Sequence, residues 1–262
     1  MAVSLDQILA STRLGLPELG RRRRVLEQEA AARATPPSLR EALRRPTVAV
    51  VAEVKRRSPS AGAIREDLDP GERAALYASH GAAAISVLTD HRHFGGSMED
   101  LRAAVACVPV PVLRKDFILD ELQIVEARAA GAAAVLLIVR ALPPGRLEAL
   151  LTCARRVGVE ALVEVHTAVE LERALEAGAE VVGINSRDLD TFRIDVEGAW
   201  DLLASVPRDR LAVAESGMHD PADVERAGAA GADAVLIGTA LSAAADPAEL
   251  LRGLSRVPRR GR

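Results

Sequence analysis

Aromatic side chains are scarce in this sequence: its 262 residues include three Phe, one Tyr and one Trp, or 2% of the chain. A core must therefore be built mainly from Ala, Val, Leu and Ile, which dominate a hydrophobic content of 49%. Such small aliphatic residues suit helices packed closely on a parallel sheet. The scarcity also argues against a surface that stacks nucleic-acid bases on aromatic rings.

Cysteine is nearly absent as well. Cys107 and Cys153 are the two cysteines, and their separation fits no metal-binding spacing. We expect both thiols to be reduced and buried, as in a cytoplasmic protein. His91 and His93 have the His-x-His spacing of a metal pair, but no third ligand stands out, so we predict no metal.

Long apolar runs and a dominant charge are lacking too. No segment approaches the roughly 20 apolar residues that cross a bilayer, and residues 1–6 do not resemble a signal peptide. The net charge is −3 with mixed signs, and the basic run at residues 21–24 is interpreted as a solvated helix face. We predict a cytoplasmic protein whose partner is a small molecule, with no nucleic-acid or membrane partner.

What the sequence does contain is a regular alternation. Residues 4–46 are predicted to be helical, and Ser4 and Gln7 have the spacing of a capping box. Beyond them, apolar segments alternate with stretches of helical periodicity, which indicates βαβ units and a parallel sheet. The apolar segments are Val48–Val54, Ala84–Leu88, Pro111–Leu113, Ala134–Val139, Ala161–Val165, Val181–Ile184, Leu211–Ala214 and Ala234–Ile237.

A glycine repeat supports this pattern. Gly81, Gly131, Gly178 and Gly231 each precede an apolar segment, where glycine suits the left-handed residue that ends a helix. Eight such units that close on themselves form an α/β fold, the (β/α)8 TIM barrel, here with an N-terminal helical extension. An open doubly wound sheet is the alternative, but no Gly-x-Gly-x-x-Gly follows the first strand.

The chain is predicted to be a single domain over residues 1–262. Residues 1–46 would form the helical extension and residues 47–262 the barrel. The arginine-rich tail at residues 256–262 is predicted to be disordered.

Polar residues recur where the predicted strands end. The active site of such a barrel lies at the carboxyl ends of its strands. The residues at these ends are Glu53, Lys55, Lys115, Glu164, Asn185, Arg187 and Glu215. Their proximity would push their pKa values apart, as acid and base catalysis requires, whereas the alternative is a set of structural ion pairs.

Small residues follow the last two predicted strands. Ser216-Gly217 and Gly238-Thr239 would let backbone N–H groups approach an anion, and barrels often bind phosphate at this place. Ordinary tight turns are the alternative. The sequence therefore predicts a phosphorylated substrate.

These stretches resemble those of the indole-3-glycerol phosphate synthase family. The resemblance extends from Val48 to about Leu251, and its most specific parts are Lys55-Arg56-Arg57-Ser58-Pro59-Ser60 and Leu113-Arg114-Lys115-Asp116-Phe117. Other matching stretches are Phe94-Gly95-Gly96-Ser97, Leu162-Val163-Glu164-Val165-His166, Gly183-Ile184-Asn185-Ser186-Arg187 and Glu215-Ser216-Gly217. The sequence differs from the usual residues of the family at Asp90, His91, Glu121, Leu122, Ser186 and Thr239. These differences bear on loop dynamics and substrate affinity and not on the reaction.

The resemblance implies a carbon–carbon lyase of tryptophan biosynthesis. It would close the ring of 1-(2-carboxyphenylamino)-1-deoxyribulose 5-phosphate and remove carbon dioxide and water, without a cofactor. Lys115 would be the general acid and Glu164 the general base. Lys55 would hold the substrate carboxylate, Glu53 would orient Lys55, and Asn185 would bind hydroxyl groups.

The remaining implied residues would bind the substrate. The phosphate would lie against Ser58, Gly217, Gly238 and Thr239, and the aromatic ring against Phe94 and Phe117, with Arg187, Glu215 and Ser216 completing the site. A monomer is expected. The alternatives are another phosphate-sugar barrel, either an isomerase or a Schiff-base aldolase, and a barrel that binds phosphate without catalysis.

Overall fold

The computed structural model describes residues 4–58, 62–65 and 67–260. A strand forms at every predicted apolar segment, with bounds that differ from the predicted ones by two residues at most. The strands are β1 (Ala49–Val54), β2 (Arg57–Ser58), β3 (Gly62–Ala63), β4 (Ala84–Leu88), β5 (Val112–Lys115), β6 (Ala134–Ile138), β7 (Glu160–Val165), β8 (Val181–Asn185), β9 (Leu211–Glu215) and β10 (Ala234–Ile237).

Helices fill the intervals between the strands and precede the first one. They are α1 (Leu5–Arg21), α2 (Arg23–Ala32), α3 (Leu39–Leu43), α4 (Pro70–Ser79), α5 (His91–Phe94), α6 (Met98–Cys107), α7 (Glu121–Ala130), α8 (Arg146–Val157), α9 (Ala168–Glu176), α10 (Val196–Ala204), α11 (Pro221–Ala229), α12 (Thr239–Ala243) and α13 (Pro247–Leu254). A 3₁₀ turn at Val139–Ala141 follows β6. In the described residues, no helix is long and apolar enough to cross a membrane.

The sheet closes on itself. β1 pairs in parallel with β4 on one side and with β10 on the other, and the order around the barrel is β1-β10-β9-β8-β7-β6-β5-β4. The prediction of a (β/α)8 TIM barrel is therefore confirmed, and the open sheet is excluded. β2 and β3 form a separate antiparallel ribbon after β1.

The predicted glycines end helices as expected. Gly131 has φ = 93° and Gly231 has φ = 108°, in the left-handed region that side chains with a Cβ rarely adopt. At Gly131 the backbone N–H donates to carbonyls of the last turn of α7. The chain can thus turn directly from a helix into the next strand.

Alternation along β1 decides what faces the barrel interior. Ala49 and Val51 belong to the apolar cluster inside the barrel, whereas Val50 and Ala52 pack in the layer between the sheet and the helices. Side chains two residues apart share a face of a strand. Glu53 therefore continues the interior row at the carboxyl end of β1.

The predicted helices before the first strand are confirmed. Ser4 and Gln7 form both hydrogen bonds of the capping box at the start of α1. Ile8 and Leu9 on the apolar side of α1 are buried and belong to the same cluster as Phe117, which follows β5. The helices that precede the barrel thus share an apolar core with it.

Two expectations are wrong. Cys153 is buried, but Cys107 is exposed, because it is the last residue of α6 and lies at the open end of that helix. The tail is not disordered as far as residue 260: Nη2 of Arg259 lies 2.6 Å from Oδ1 of the buried Asp233, and the Arg259 N–H donates to the Pro46 carbonyl over 2.9 Å.

Candidate active site

One cavity lies at the carboxyl ends of the barrel strands. Every predicted site residue except Ser58 lines it, and the side chain of Ser58 is outside the described part of the structure. The predicted residues in its walls are Glu53, Lys55, Phe94, Lys115, Phe117, Glu164, Asn185, Arg187, Glu215, Ser216, Gly217, Gly238 and Thr239. The strand alternation explains this convergence, because β1, β5, β7, β8 and β9 each carry an inward-facing polar residue at or next to the carboxyl end.

Lysine and phenylalanine are concentrated in this cavity. Lys55 and Lys115 are the two lysines of the chain, which otherwise uses arginine. All three phenylalanines, Phe94, Phe117 and Phe192, also line the cavity. Unlike the guanidinium group, the ammonium group of lysine can lose its proton when its environment changes. Both side chains of the chain that can carry an ammonium group therefore lie in this one cavity.

Four charged side chains come from alternate strands of the barrel. They are Glu53 of β1, Lys115 of β5, Glu164 at the end of β7, and Glu215 of β9. Residues from alternate strands form one layer of a barrel interior, and such a layer is ordinarily apolar. Here the layer nearest the cavity carries three carboxyl groups and one ammonium group.

Lys115 lies between two of these carboxyl groups. Its Nζ atom is 3.7 Å from Oε2 of Glu164 and 3.7 Å from Oε2 of Glu215. Burial lowers the pKa of Lys115, but the negative charges of Glu164, Glu215 and Glu53 outweigh it and raise the pKa above its ordinary value. Lys115 therefore keeps its proton and its positive charge in the free protein.

The pKa of Glu215 is raised as well, which leaves this carboxyl group uncharged. Burial and the nearby charge of Glu164 raise its pKa well above the ordinary value, against the lowering effect of Lys115. The carboxyl group fits closely against β8, because a Cβ atom on Gly183 would lie 2.1 Å from Oε1 of Glu215. Glu215 thus holds a proton at a pH where an exposed glutamate is ionised.

Glu53 and Lys55, both at the end of β1, form another ion pair in the cavity wall. Nζ of Lys55 is 2.9 Å from Oε1 of Glu53 and 3.5 Å from Oγ1 of Thr239. Burial raises the pKa of Glu53, but the positive charges of Lys55 and Lys115 outweigh it, so the pKa is below its ordinary value. Glu53 is therefore ionised, and Nζ of Lys55 is turned toward the start of α12.

The chain turns sharply after β9 and after β10, near the side chain of Lys55. Ser216 and Gly217 have φ values of 65° and 76° after β9, and Gly238 precedes the first residue of α12, Thr239. Backbone N–H groups in turns of this kind can bind an anion. The arrangement is compatible with the predicted phosphate site.

Asn185 and Arg187 border the cavity at the end of β8. The backbone N–H of Arg187 donates to Oδ1 of Asn185 over 3.0 Å, so this amide oxygen holds the turn. Burial lowers the pKa of Arg187, and the charge of Glu53 offsets part of the effect. Arg187 also pairs with Ile194 in an antiparallel bridge, which folds the following loop back over the cavity.

The apolar part of the cavity was largely missed from the sequence. It contains Leu88, Leu136, Ile138, Leu189, Phe192, Ile194, Met218 and Leu236. Leu136 and Ile138 face inward along β6, but nothing in the sequence distinguishes them from core residues. Phe94 and Phe117 lie with ring centroids 6.3 Å apart and planes at 36°. Together these residues form a wall suited to a flat apolar group.

The fold and this cavity define a class of protein. It is a closed (β/α)8 barrel with two partly buried lysines beside carboxyl groups at the carboxyl ends of its strands, the place where barrel enzymes have their active sites. In the described part of the chain, no three His, Cys, Asp or Glu side chains are grouped so that they could hold a metal ion.

Comparison with known proteins defines the family. Residues 5–254 match the family model of indole-3-glycerol phosphate synthase. The chain is 50% identical over 239 residues to indole-3-glycerol phosphate synthase 2 of Streptomyces coelicolor, covering 89% of this chain and 93% of that one. The synthase of Nocardioides sp. is 49% identical over 257 residues, covering 97% and 98%. The chain belongs to the indole-3-glycerol phosphate synthase family.

A solved structure confirms the architecture independently. The thiamine phosphate pyrophosphorylase of Pyrococcus furiosus superposes with a TM-score of 0.58 at 20% identity, over 81% of this chain and 95% of that chain. Identity at this level shows a shared fold alone.

Proposed function

We propose that this enzyme converts 1-(2-carboxyphenylamino)-1-deoxyribulose 5-phosphate into indole-3-glycerol phosphate in tryptophan biosynthesis. The reaction closes the pyrrole ring and releases carbon dioxide and water. The observation that carries the residue assignment is the position of Lys115, whose Nζ atom lies 3.7 Å from carboxyl oxygens of both Glu164 and Glu215.

Ring closure requires a proton donor at the substrate ketone. When the aromatic carbon attacks, negative charge develops on the ketone oxygen, and Lys115 donates its proton there. The charges that raise the pKa of Lys115 keep it protonated in the free protein. Transfer becomes favourable as the oxygen acquires charge, because an alkoxide binds a proton more tightly than an amine does.

Loss of carbon dioxide requires the substrate carboxylate to be held out of water. Lys55 takes that position, with its ammonium group held 2.9 Å from Glu53. An ion pair fixes the carboxylate near the reacting carbon before the bond breaks. The electron pair of that bond then neutralises the iminium nitrogen.

The final loss of water needs a base and an acid on either side of one carbon–carbon bond. Glu164 removes the proton from the ring carbon, and a lysine protonates the departing hydroxyl with the assistance of Glu53. Asn185 binds the substrate hydroxyl groups through its amide N–H, since its oxygen is already occupied by the Arg187 N–H.

Substrate binding uses the two ends of the cavity. The phosphate lies at Gly217, Gly238 and Thr239, near Lys55 and Ser58. The aminobenzoate ring packs against Phe94 and Phe117, with Arg187, Glu215 and Ser216 along the ribulose chain.

We further propose that the chain acts as a monomeric, single-domain enzyme of the cytoplasm. The mixed surface charge and the apolar core shared by residues 5–43 and the barrel support this arrangement. Size-exclusion chromatography with light scattering should give the mass of one chain, and the mass of two chains would contradict the monomer.

Fluorescence of the indole product tests the proposed reaction. Purified protein mixed with the carboxyphenylamino-deoxyribulose phosphate should give a rise in indole fluorescence and release equimolar carbon dioxide. An aldolase that used a Schiff base would instead lose activity on treatment with borohydride in the presence of substrate. Because the chain has two lysines, mass spectrometry would locate such an adduct at once.

A further inference from the structure

A buried histidine lies directly behind the proposed base. Glu164 and His166 share the inward face at the end of β7, and their side chains are 1% and 4% exposed. Nε2 of His166 lies 3.5 Å from Oε1 of Glu164. Glu164 lines the cavity and His166 does not, so the imidazole reaches the carboxyl group from outside the open space of the cavity.

The other ring nitrogen is held by a second carboxylate. Nδ1 of His166 lies 3.3 Å from Oε2 of Glu170, and the backbone N–H of His166 donates to the same oxygen over 2.7 Å. Glu170 in turn accepts from Nε of Arg140 over 3.1 Å, and Arg140 also donates to Asp188 over 3.0 Å. This chain of contacts fixes the plane of the imidazole ring.

The charge of Glu170 determines the proton on Nδ1. Burial raises the pKa of Glu170, but the hydrogen bonds from His166 and Arg140 outweigh it and lower the pKa. The carboxylate is therefore ionised and can only accept hydrogen bonds. Nδ1 of His166 must carry the hydrogen that faces it.

The contact with Glu164 requires one more proton. With Nδ1–H turned to Glu170, a neutral ring would present the Nε2 lone pair to Oε1 of Glu164, and two acceptors would face each other. A base has to be ionised before it can take a proton. A hydrogen on Nε2 would give the ionised carboxylate a donor at this contact. In the described residues, both carboxyl oxygens of Glu164 and Nε2 of His166 are buried without a hydrogen-bond partner of good geometry. The 3.5 Å contact therefore brings together two atoms that are otherwise unpartnered.

We propose that His166 is a positioning residue that donates Nε2–H to Oε1 of Glu164 and so keeps Oε2 ionised and directed into the cavity. This inference rests on the proposed function, in which Glu164 is the base. Oε2 is the oxygen that lies 3.7 Å from Nζ of Lys115. A buried carboxylate that loses such a donor binds its own proton more tightly, so a smaller fraction of it is ionised and able to act as a base at neutral pH.

Charged groups from several elements act on this pair. Glu164 faces His166 from the same strand, Glu170 from α9, and Arg140 from the turn after β6. Lys115 approaches the far oxygen of Glu164 from β5. All of these groups remain in place when His166 alone is replaced, so the comparison of variants isolates the imidazole ring.

Two amide substitutions separate the roles of the two ring nitrogens. The side-chain nitrogen of Gln occupies nearly the position of Nε2, whereas that of Asn occupies the position of Nδ1. His166→Gln should retain the donor to Glu164 and keep kcat within about threefold of the wild type. His166→Asn should retain only the donor to Glu170 and lower kcat roughly 10- to 100-fold, with little change in KM.

The pH dependence of kcat distinguishes the proposed role from a purely structural one, because a purely structural role would not shift it. In His166→Asn the acid limb of the kcat profile should shift to higher pH, because a base with a raised pKa is ionised later. In His166→Gln that limb should stay in place. The matched control is the same pair of substitutions at His80, which caps α4 far from the cavity. Neither should alter kcat or the profile.

Several results would overturn the proposal. Equal losses in both His166 variants together with a lower melting temperature would assign His166 a purely structural role. Better activity in His166→Asn than in His166→Gln would place its function at Glu170. If the variants do not fold, ¹⁵N-histidine NMR of the wild type decides: two protonated nitrogens at neutral pH are expected, and a neutral Nδ1–H ring contradicts the donor.

Failure of the proposed function would look different. In that case the wild type itself would form no indole product, or Glu164→Gln would turn over normally. The ¹³C titration of the Glu164 carboxyl group would still report whether His166→Asn raises its pKa.

Discussion

Gly238 lies against the carboxyl group of Glu53. A Cβ atom at Gly238 would be 2.3 Å from Oε1 of Glu53, which is closer than two such atoms can approach. The absence of a side chain at the start of α12 thus permits the Glu53–Lys55 pair to occupy the cavity.

Gly238→Ala should therefore damage catalysis more than folding. The methyl group would displace the Glu53 carboxyl group and with it Lys55, and a displacement of about 1 Å can cost roughly 100-fold in rate. We expect kcat to fall by about that factor. Gly20→Ala is the control, because nothing lies within 4 Å of a Cβ atom there, and its kcat should be unchanged. A fully active Gly238→Ala enzyme would contradict the account.

Glu215→Gln should change how stability depends on pH. The folded protein holds a proton on Glu215 at a pH where the unfolded chain, with an ordinary pKa near 4.5, has lost it. Wild-type stability should therefore fall as pH rises above about 4.5, by at most about 1.4 kcal/mol per pH unit, until the folded-state pKa is passed. The Gln variant lacks this loss.

The free energy of unfolding of both proteins, measured by denaturant titration between pH 4 and pH 8, checks this prediction. The stability of the variant relative to the wild type should increase across that range and be smallest at pH 4. A difference that is constant with pH would show that Glu215 is ionised in the folded protein.

Phe94→Leu should weaken substrate binding. The proposed ring position places the aminobenzoate group against Phe94 and Phe117, and an aromatic contact contributes about 0.5–1.5 kcal/mol beyond the buried area. We expect KM to rise by about 2- to 10-fold with a smaller effect on kcat. Trp200→Leu removes an aromatic ring outside this cavity, next to Arg226, and should leave KM unchanged. An unaltered KM in Phe94→Leu would place the substrate ring elsewhere.

The main features of the fold were accessible from the sequence because they depend on local patterns. Apolar segments, helix periods and glycines such as Gly131 recur in a fixed order, and strand alternation then places Glu53 and Glu164 inside the barrel. The apolar wall was not accessible in the same way. Leu136 and Ile138 look like any core residues until the closure of the barrel shows that they border a cavity.

The two wrong expectations have a similar cause. Periodicity identifies the face of a helix but not whether its end is covered, so Cys107 was expected to be buried. The tail was expected to be disordered because no local pattern shows that Arg259 has a partner. That partner, Asp233, lies directly before β10, far away along the chain. Likewise, the position of His166 behind Glu164 follows from contacts between β7 and α9.

Replacement of Lys115 by arginine tests the central claim most directly. Arginine keeps the positive charge between Glu164 and Glu215 but does not release its proton at accessible pH. Turnover should be followed by indole fluorescence in the presence of chelator, with the exposed exchange Arg44→Lys as control. We predict that Lys115→Arg lowers kcat by roughly 100- to 10,000-fold, as expected for a lost general acid, and that Arg44→Lys is fully active. Near-normal turnover by Lys115→Arg would contradict the assignment, because the site would then need only a charge and not a proton donor.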